Sequence, residues 1–114
     1  MEQPLEIAFH GMDHSDAVEE RIRERVEKLE RYFDRIVSCR VAVEATHRHG
    51  TKGKVYQVNV GIGVPGQEIV ANHNRRDHDE HEDVYIAIRD AFNAADRQLE
   101  DYARKARGDV KTHG

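Results

Sequence analysis

Three histidines, His73, His78 and His81, fall within one short run with Asp77 and Asp79 between them. Imidazole and carboxylate are the ligand types that hold zinc or nickel. The spacing matches neither a zinc finger nor the H-E-x-x-H helix. The surrounding run, Asn72 to Asp83, is almost wholly polar, so a solvated loop is the competing reading. His47 and His49 flank Arg48 and suit surface or phosphate contact better than coordination. Gly61-Ile62-Gly63-Val64-Pro65-Gly66 spells the dinucleotide fingerprint G-x-G-x-x-G. That fingerprint needs its third glycine to open a helix that receives the pyrophosphate, whereas Pro65-Gly66 suits the centre of a type II turn. The motif is therefore rejected, and Gly61 and Gly63 are expected to mark a bulge or a flexible strand. Cys39 alternates with Val41 and Val43, as a buried thiol would rather than a nucleophile. No Ser-His-Asp arrangement, phosphate loop or poised carboxylate pair stands out. The expectation is a protein that is not an enzyme, with no cofactor, no resident metal and no small-molecule substrate.

Charge offers more. At about 100° per residue, Arg21, Arg25, Lys28, Arg31 and Arg35 share one flank of a first helix, and Glu19, Glu27, Glu30 and Asp34 share the other. A rigid ridge of cations can follow a phosphate backbone even on an acidic protein. The alternative is a solvated face laced by pairs such as Glu24 with Lys28 and Glu27 with Arg31. A second helix carries Arg89, Arg97, Arg104, Lys105 and Arg107 outside its apolar stripe, interleaved with Asp90, Asp96, Glu100 and Asp101. Loop cations Arg48, Lys52, Lys54, Arg75 and Arg76 would extend such a surface. Phe9, Phe33, Tyr56 and Phe92 fall on apolar faces, and the aromatic signature of an RNA-recognition motif is missing. Backbone and shape, rather than bases stacked on a sheet, would dominate any contact with nucleic acid.

The elements that must position these groups follow from periodicity. Leu5, Ile7 and Phe9 alternate with polar or small residues, as in a strand with one buried face. Ser15 caps a helix whose first turn is acidic, and Val18, Ile22, Val26, Leu29 and Phe33 form its apolar stripe, which Ile36 closes as the helix ends. Alternation over Cys39 to Thr46, over Tyr56 to Val64, and over Glu68 to His73 predicts three further strands, the last two joined by the Pro65-Gly66 turn. Val84, Ile88, Ala91, Phe92, Ala95, Leu99, Tyr102 and Ala106 predict a long helix from about Glu82 to Arg107, stopped by Gly108. The order β-α-β-β-β-α implies an α+β fold: a four-stranded, mainly antiparallel sheet with two helices packed on one face.

The whole chain has 114 residues, 38% of them apolar and 35% charged, which suits one small domain with an ionic surface, residues 1–107, and a short tail, 108–114. The formal charge is −4, and the eight histidines would carry it to +4 if all were protonated, one unit each. That change centres near the ordinary histidine pKa of about 6.5. A single cysteine excludes an internal disulfide and agrees with a reducing compartment. No apolar run approaches the ~18 residues of a membrane span, and Met1-Glu2-Gln3-Pro4 lacks the regions of a signal peptide. A cytoplasmic protein without a membrane partner is expected.

Two segments carry a resemblance. Glu27-Lys28-Leu29-Glu30-Arg31-Tyr32-Phe33-Asp34-Arg35-Ile36 is similar to the K-L-E-x-Y-F-D-R-I helix end of the ribosome hibernation-promoting factor and ribosome-associated inhibitor family. His81-Glu82-Asp83-Val84-Tyr85-Ile86-Ala87-Ile88 is similar to that family's E-D-M-Y-x-A-I helix start, with Val84 in place of methionine, and Arg97-Gln98-Leu99 follows in order. The resemblance covers nearly the whole chain, in the family's short form. It implies a fold related to double-stranded RNA-binding domains. It also implies binding to the small ribosomal subunit and its rRNA in the channel of messenger and transfer RNA, with inhibition of translation under stress. A free chain of this kind is expected to be monomeric. By position, Arg25, Lys28 and Arg31, with Arg97 and Lys105, match the family's basic positions, and Arg21, Arg89 and Arg104 complete the expected rRNA-binding set. Where the family often has lysine this chain has Ala94, and Glu100 and Asp101 stand near further basic positions. Two rival functions remain at this point: metal binding through His73, His78 and His81, and recognition of a partner protein by the charged helices.

Overall fold

A computed structural model describes residues 1–47, 53–72 and 83–108. The candidate metal-binding loop, from His73 to His81, lies outside the described residues, as do Arg48, Lys52, Arg75 and Arg76. The elements are β1 (Glu6–His10), α1 (Asp16–Tyr32), β2 (Ser38–His47), β3 (Lys54–Val64), β4 (Gln67–Asn72) and α2 (Val84–Ala106). Sheet order follows chain order, β1-β2-β3-β4. β1 and β2 are parallel, with Ile7 opposite Val41, and the other two pairs are antiparallel. A parallel pair needs a crossover, and α1 supplies it.

Apart from Val55, buried out of phase at the start of β3, the buried side chains of β2 and β3 alternate as period two requires. Cys39, Val41, Val43 and Ala45 of β2 are buried, as are Val58, Val60, Ile62 and Val64 of β3. These meet Val18, Ile22, Val26 and Leu29 of α1 and Ala87, Ile88, Ala91, Phe92, Ala95 and Leu99 of α2, the same face of the sheet taking both helices. Apart from Ala45, all belong to one continuous core cluster. Burial of this apolar surface contributes about 25 cal/mol per Å² and drives the two helices onto the sheet.

Local signals fix the ends. Ser15 caps α1, its Oγ accepting from the Val18 amide at 3.2 Å, and Asp83 caps α2, accepting from the Tyr85 amide at 2.8 Å. Gly66 takes φ 87° in the β3–β4 turn, and Gly108 takes φ 79° beyond α2, where its amide donates to the Lys105 carbonyl at 3.0 Å.

Two local expectations are corrected. α1 ends at Tyr32, not at Ile36: Phe33 is already extended, at φ −131°. The chain turns early because the Val37 amide donates to the Gly63 carbonyl at 2.7 Å, which pulls this segment into the sheet; Ile36 stays buried outside the helix. There is also no bulge at Gly61 or Gly63, since β2 and β3 pair one to one from Ser38 opposite Gly63 to His47 opposite Lys54. These glycines leave room for cross-strand neighbours instead. A Cβ on Gly61 would crowd Glu68 Oε2, and one on Gly63 would overlap Ser38 Oγ.

Candidate nucleic-acid interface

The two helices lie side by side and run in the same direction. Near the start of both, the Arg21 guanidinium sits 4.9 Å from the Tyr85 ring centre. Further along, Arg25 lies 5.4 Å from the Phe92 ring and reaches Asn93 Oδ1 at 3.2 Å and Asp96 Oδ2 at 3.5 Å. The predicted flank of α1 therefore turns toward α2, and its first two arginines form part of the helix–helix seam. Cation–π placement of this kind holds guanidinium groups over apolar rings while leaving their outer N–H groups to other acceptors.

Asp96 is the centre of this arrangement. Burial raises its carboxyl above the usual range; Arg25, Lys28 and Arg97 pull the other way, and Glu100 adds to the rise. Three of the predicted cations, from both helices, thus act on a single carboxylate. Lys28, Arg31 and Arg97 are exposed and make no ion pair among the described residues. The pairs of the solvated-face alternative, Glu24 with Lys28 and Glu27 with Arg31, do not form; Glu24 bonds Arg21 at 3.5 Å, and Arg23 bonds Glu19 at 2.8 Å.

The remaining candidates are distributed differently. Arg89 pairs with Asp90 at 3.1 Å. Arg104 and Lys105 both bind Asp101, at 3.1 and 3.2 Å, and Lys105 chiefly, then Arg104, hold that exposed carboxyl below its usual range. Lys105 and Arg97 line the groove between α2 and β4, where Gln98 Nε2 donates to the Val70 carbonyl at 3.3 Å. The eight predicted residues are thus not one continuous ridge. Arg21, Arg25 and Lys28 gather on the α1 side of the seam, Arg97 borders both the seam and the α2–β4 groove, and Arg104 and Lys105 share a carboxylate at the far end of α2. Exposed pairs contribute only about 0–1 kcal/mol each, so a phosphate can take over such cations at little cost.

Sequence reasoning missed Tyr85, Asn93 and Asp96 as partners of the basic flank. Their common helical spacing is legible, but the side of α2 that would face α1 is not. Cys39 behaves as expected, 1% exposed, its thiol pushed up to about 12 by burial and, second, by the charge of Glu30. Among the described residues one cluster has metal-ligating types, His14, Asp16 and Glu19. His14 Nε2 lies 2.8 Å from Asp16 Oδ1 and 3.2 Å from Glu19 Oε1. Glu19 is also held by Arg23 at 2.8 Å, and the group lies at the positive end of the α1 dipole.

Two parallel helices laid over one face of a mixed four-stranded sheet make this chain an α+β sandwich. Two solved structures share it: a ribosomal subunit interface protein from Coxiella burnetii and the N-terminal domain of Protein Y from Thermus thermophilus. The first has a TM-score of 0.68 at 17% identity, covering 87% of this chain and 96% of that one. The second has a TM-score of 0.66 at 17% identity, covering 88% of this chain and 99% of that one. The chain belongs to the family described as Sigma 54 modulation protein / S30EA ribosomal protein, whose model matches residues 5–107. Its relatives include a ribosome hibernation promoting factor of Azotobacter vinelandii, 36% identical over 96 residues, which cover 83% of this chain and 78% of the relative. Another, from Pseudomonas putida, is 28% identical over 102 residues, covering 89% of this chain and 87% of the relative. No described helix is long and apolar enough to cross a membrane.

Proposed function

We propose that this chain is a non-enzymatic ribosome hibernation factor that binds the small subunit in the messenger and transfer RNA channel and inhibits translation by occupying it. The carrying observation is the cluster of Arg25, Lys28 and Arg97 around Asp96, which joins the exposed surfaces of both helices into one basic seam. A rigid seam with Lys28, Arg31 and Arg97 free of ion pairs among the described residues suits rRNA phosphates, and Arg21, Arg89, Arg104 and Lys105 can exchange weak surface partners for phosphate oxygens. The names of the relatives support the ribosome as partner. The chain acts as a monomer in the cytoplasm, with no cofactor and no small-molecule substrate in this activity.

Co-sedimentation with purified small subunits tests the reading. Wild type should pellet, and pelleting should weaken steeply with salt through counterion release. A Lys28→Glu/Arg31→Glu/Arg97→Glu variant with an unchanged circular dichroism spectrum should stay in the supernatant. Wild type remaining unbound at low salt, or a folded variant that pellets undiminished, overturns the proposal.

A further inference from the structure

Beyond the basic seam, the C-terminal ends of both helices border a second cleft, with a volume of about 210 Å³. Its floor is apolar: Val64 of β3, Leu99 of α2 and Ile36 between α1 and β2 are all buried. Its walls are aromatic. Phe33 packs on the core, and the half-buried Tyr102 ring is fixed by a hydrogen bond from its hydroxyl to the Pro65 carbonyl at 3.1 Å. Tyr32, the last residue of α1, lines the same cleft yet stays 71% exposed, the most exposed large apolar side chain among the described residues. Arg35 and Arg107 stand on the rim, with Asp34 as the acidic member.

Each part selects for one chemistry. Aromatic walls over an apolar floor accept a flat ring, and base–aromatic stacking needs no particular sequence. Two guanidinium groups on the rim suit a phosphate attached to that ring. We infer that the cleft between the helix C-termini binds an unpaired nucleotide, its base stacked against Tyr32 and Tyr102 and its phosphate held by Arg35 and Arg107. This rests in part on the proposed rRNA partner, which would supply the nucleotide from a single-stranded segment; a free mononucleotide offers the same chemistry. The site differs in kind from the seam, which reads phosphates alone.

Amide chemical shifts of the intact chain, titrated with AMP and with ribose 5-phosphate, test the cleft directly. AMP should move the signals of Phe33, Leu99, Tyr102 and Ala103 at lower concentration than ribose 5-phosphate. In a fluorescence-anisotropy assay, Tyr32→Ala should weaken binding of single-stranded oligoadenylate by roughly five- to a hundredfold, the range for one lost stacking platform. Tyr32→Phe should restore it, and an RNA duplex should be insensitive to either change. Oligoadenylate binding much tighter than AMP assigns the nucleotide to an RNA strand, and equal affinities assign it to a free mononucleotide. If AMP leaves those four amides unmoved, if ribose 5-phosphate matches AMP, or if Tyr32→Ala binds oligoadenylate like wild type, the cleft proposal fails. Wild type that does not pellet with small subunits would instead remove the ribosomal reading, while the AMP titration would still decide the cleft.

Discussion

The carboxylate of Asp96 lies 3.5 Å from the guanidinium of Arg25 on the neighbouring helix, yet its proton affinity is raised, because burial outweighs the three cations that act on it. The pair closes the seam between α1 and α2 and at the same time offsets one positive charge in the surface proposed to meet RNA. The negative charge of Asp96 would oppose a polyanion bound over Arg25, Lys28 and Arg97.

Replacing Asp96 by asparagine keeps an acceptor for Arg25 and removes that charge. Small-subunit affinity should rise roughly two- to tenfold at about 0.1 M salt, as expected for one charge a few ångströms from bound phosphates. Stability gives a second readout. A carboxyl whose folded pKa lies above its ordinary 3.8 binds more protons folded than unfolded, so its contribution is lost as pH rises through the folded value. Asparagine mimics the protonated form at every pH. The stability of Asp96→Asn relative to wild type should therefore increase between pH 3 and pH 7 in urea melts, and a constant difference would contradict the burial of Asp96.

Lys28, Arg31 and Arg97 should differ from the engaged cations in their salt signature. Each alanine variant should lower the slope of log affinity against log salt by about one phosphate contact, roughly 0.7–0.9. Binding isotherms at four or more salt concentrations measure it. Slopes unchanged in all three variants would place the RNA elsewhere on the molecule.

Much of this was legible in the sequence, and what was not has identifiable physical causes. The apolar stripes, the Ser15 cap, the Pro65-Gly66 turn and the Gly108 stop are local, so the residues themselves declare them. The end of α1 at Tyr32 depends on a hydrogen bond between Val37 and Gly63, far apart in the chain. The orientation of Arg21 and Arg25 toward Tyr85 and Phe92 depends on how two helices align on a sheet, which helical periodicity within either one does not encode. A helical wheel placed the cations on one flank of α1. It could not say that this flank is partly an internal seam.

Gly11 and Gly66 share a left-handed backbone, at φ 74° and 87°, but not their surroundings. An added Cβ meets open space at Gly66, whereas at Gly11 it would overlap the backbone carbonyl of Ala45 in the neighbouring strand. Gly66→Ala should cost about 1–2 kcal/mol from backbone strain alone. Gly11→Ala should cost more than Gly66→Ala, because β1 or β2 must also shift. Thermal melts of the two variants decide it, and equal losses would show that β1 yields freely at its C-terminal end.

Cys39 lets the core report on alkaline stability. Its thiol is raised from 9.0 to about 12, first by burial and then by Glu30, so the folded protein keeps the proton that the unfolded chain releases. Stability from this group is complete below about pH 9 and falls as the pH climbs toward 12. Cys39→Ala carries no such term and should be less stable than wild type at pH 8, by the cost of a small cavity, roughly 1 kcal/mol. That deficit should shrink steadily between pH 9 and pH 11, since all other titrations are common to both proteins. A disulfide reagent should label native Cys39 at pH 8 only as fast as the chain opens, because a buried neutral thiol is a poor nucleophile. A deficit that stays constant with pH, or labelling as fast as in an unfolded peptide, would mean that the sheet does not seal Cys39 from water.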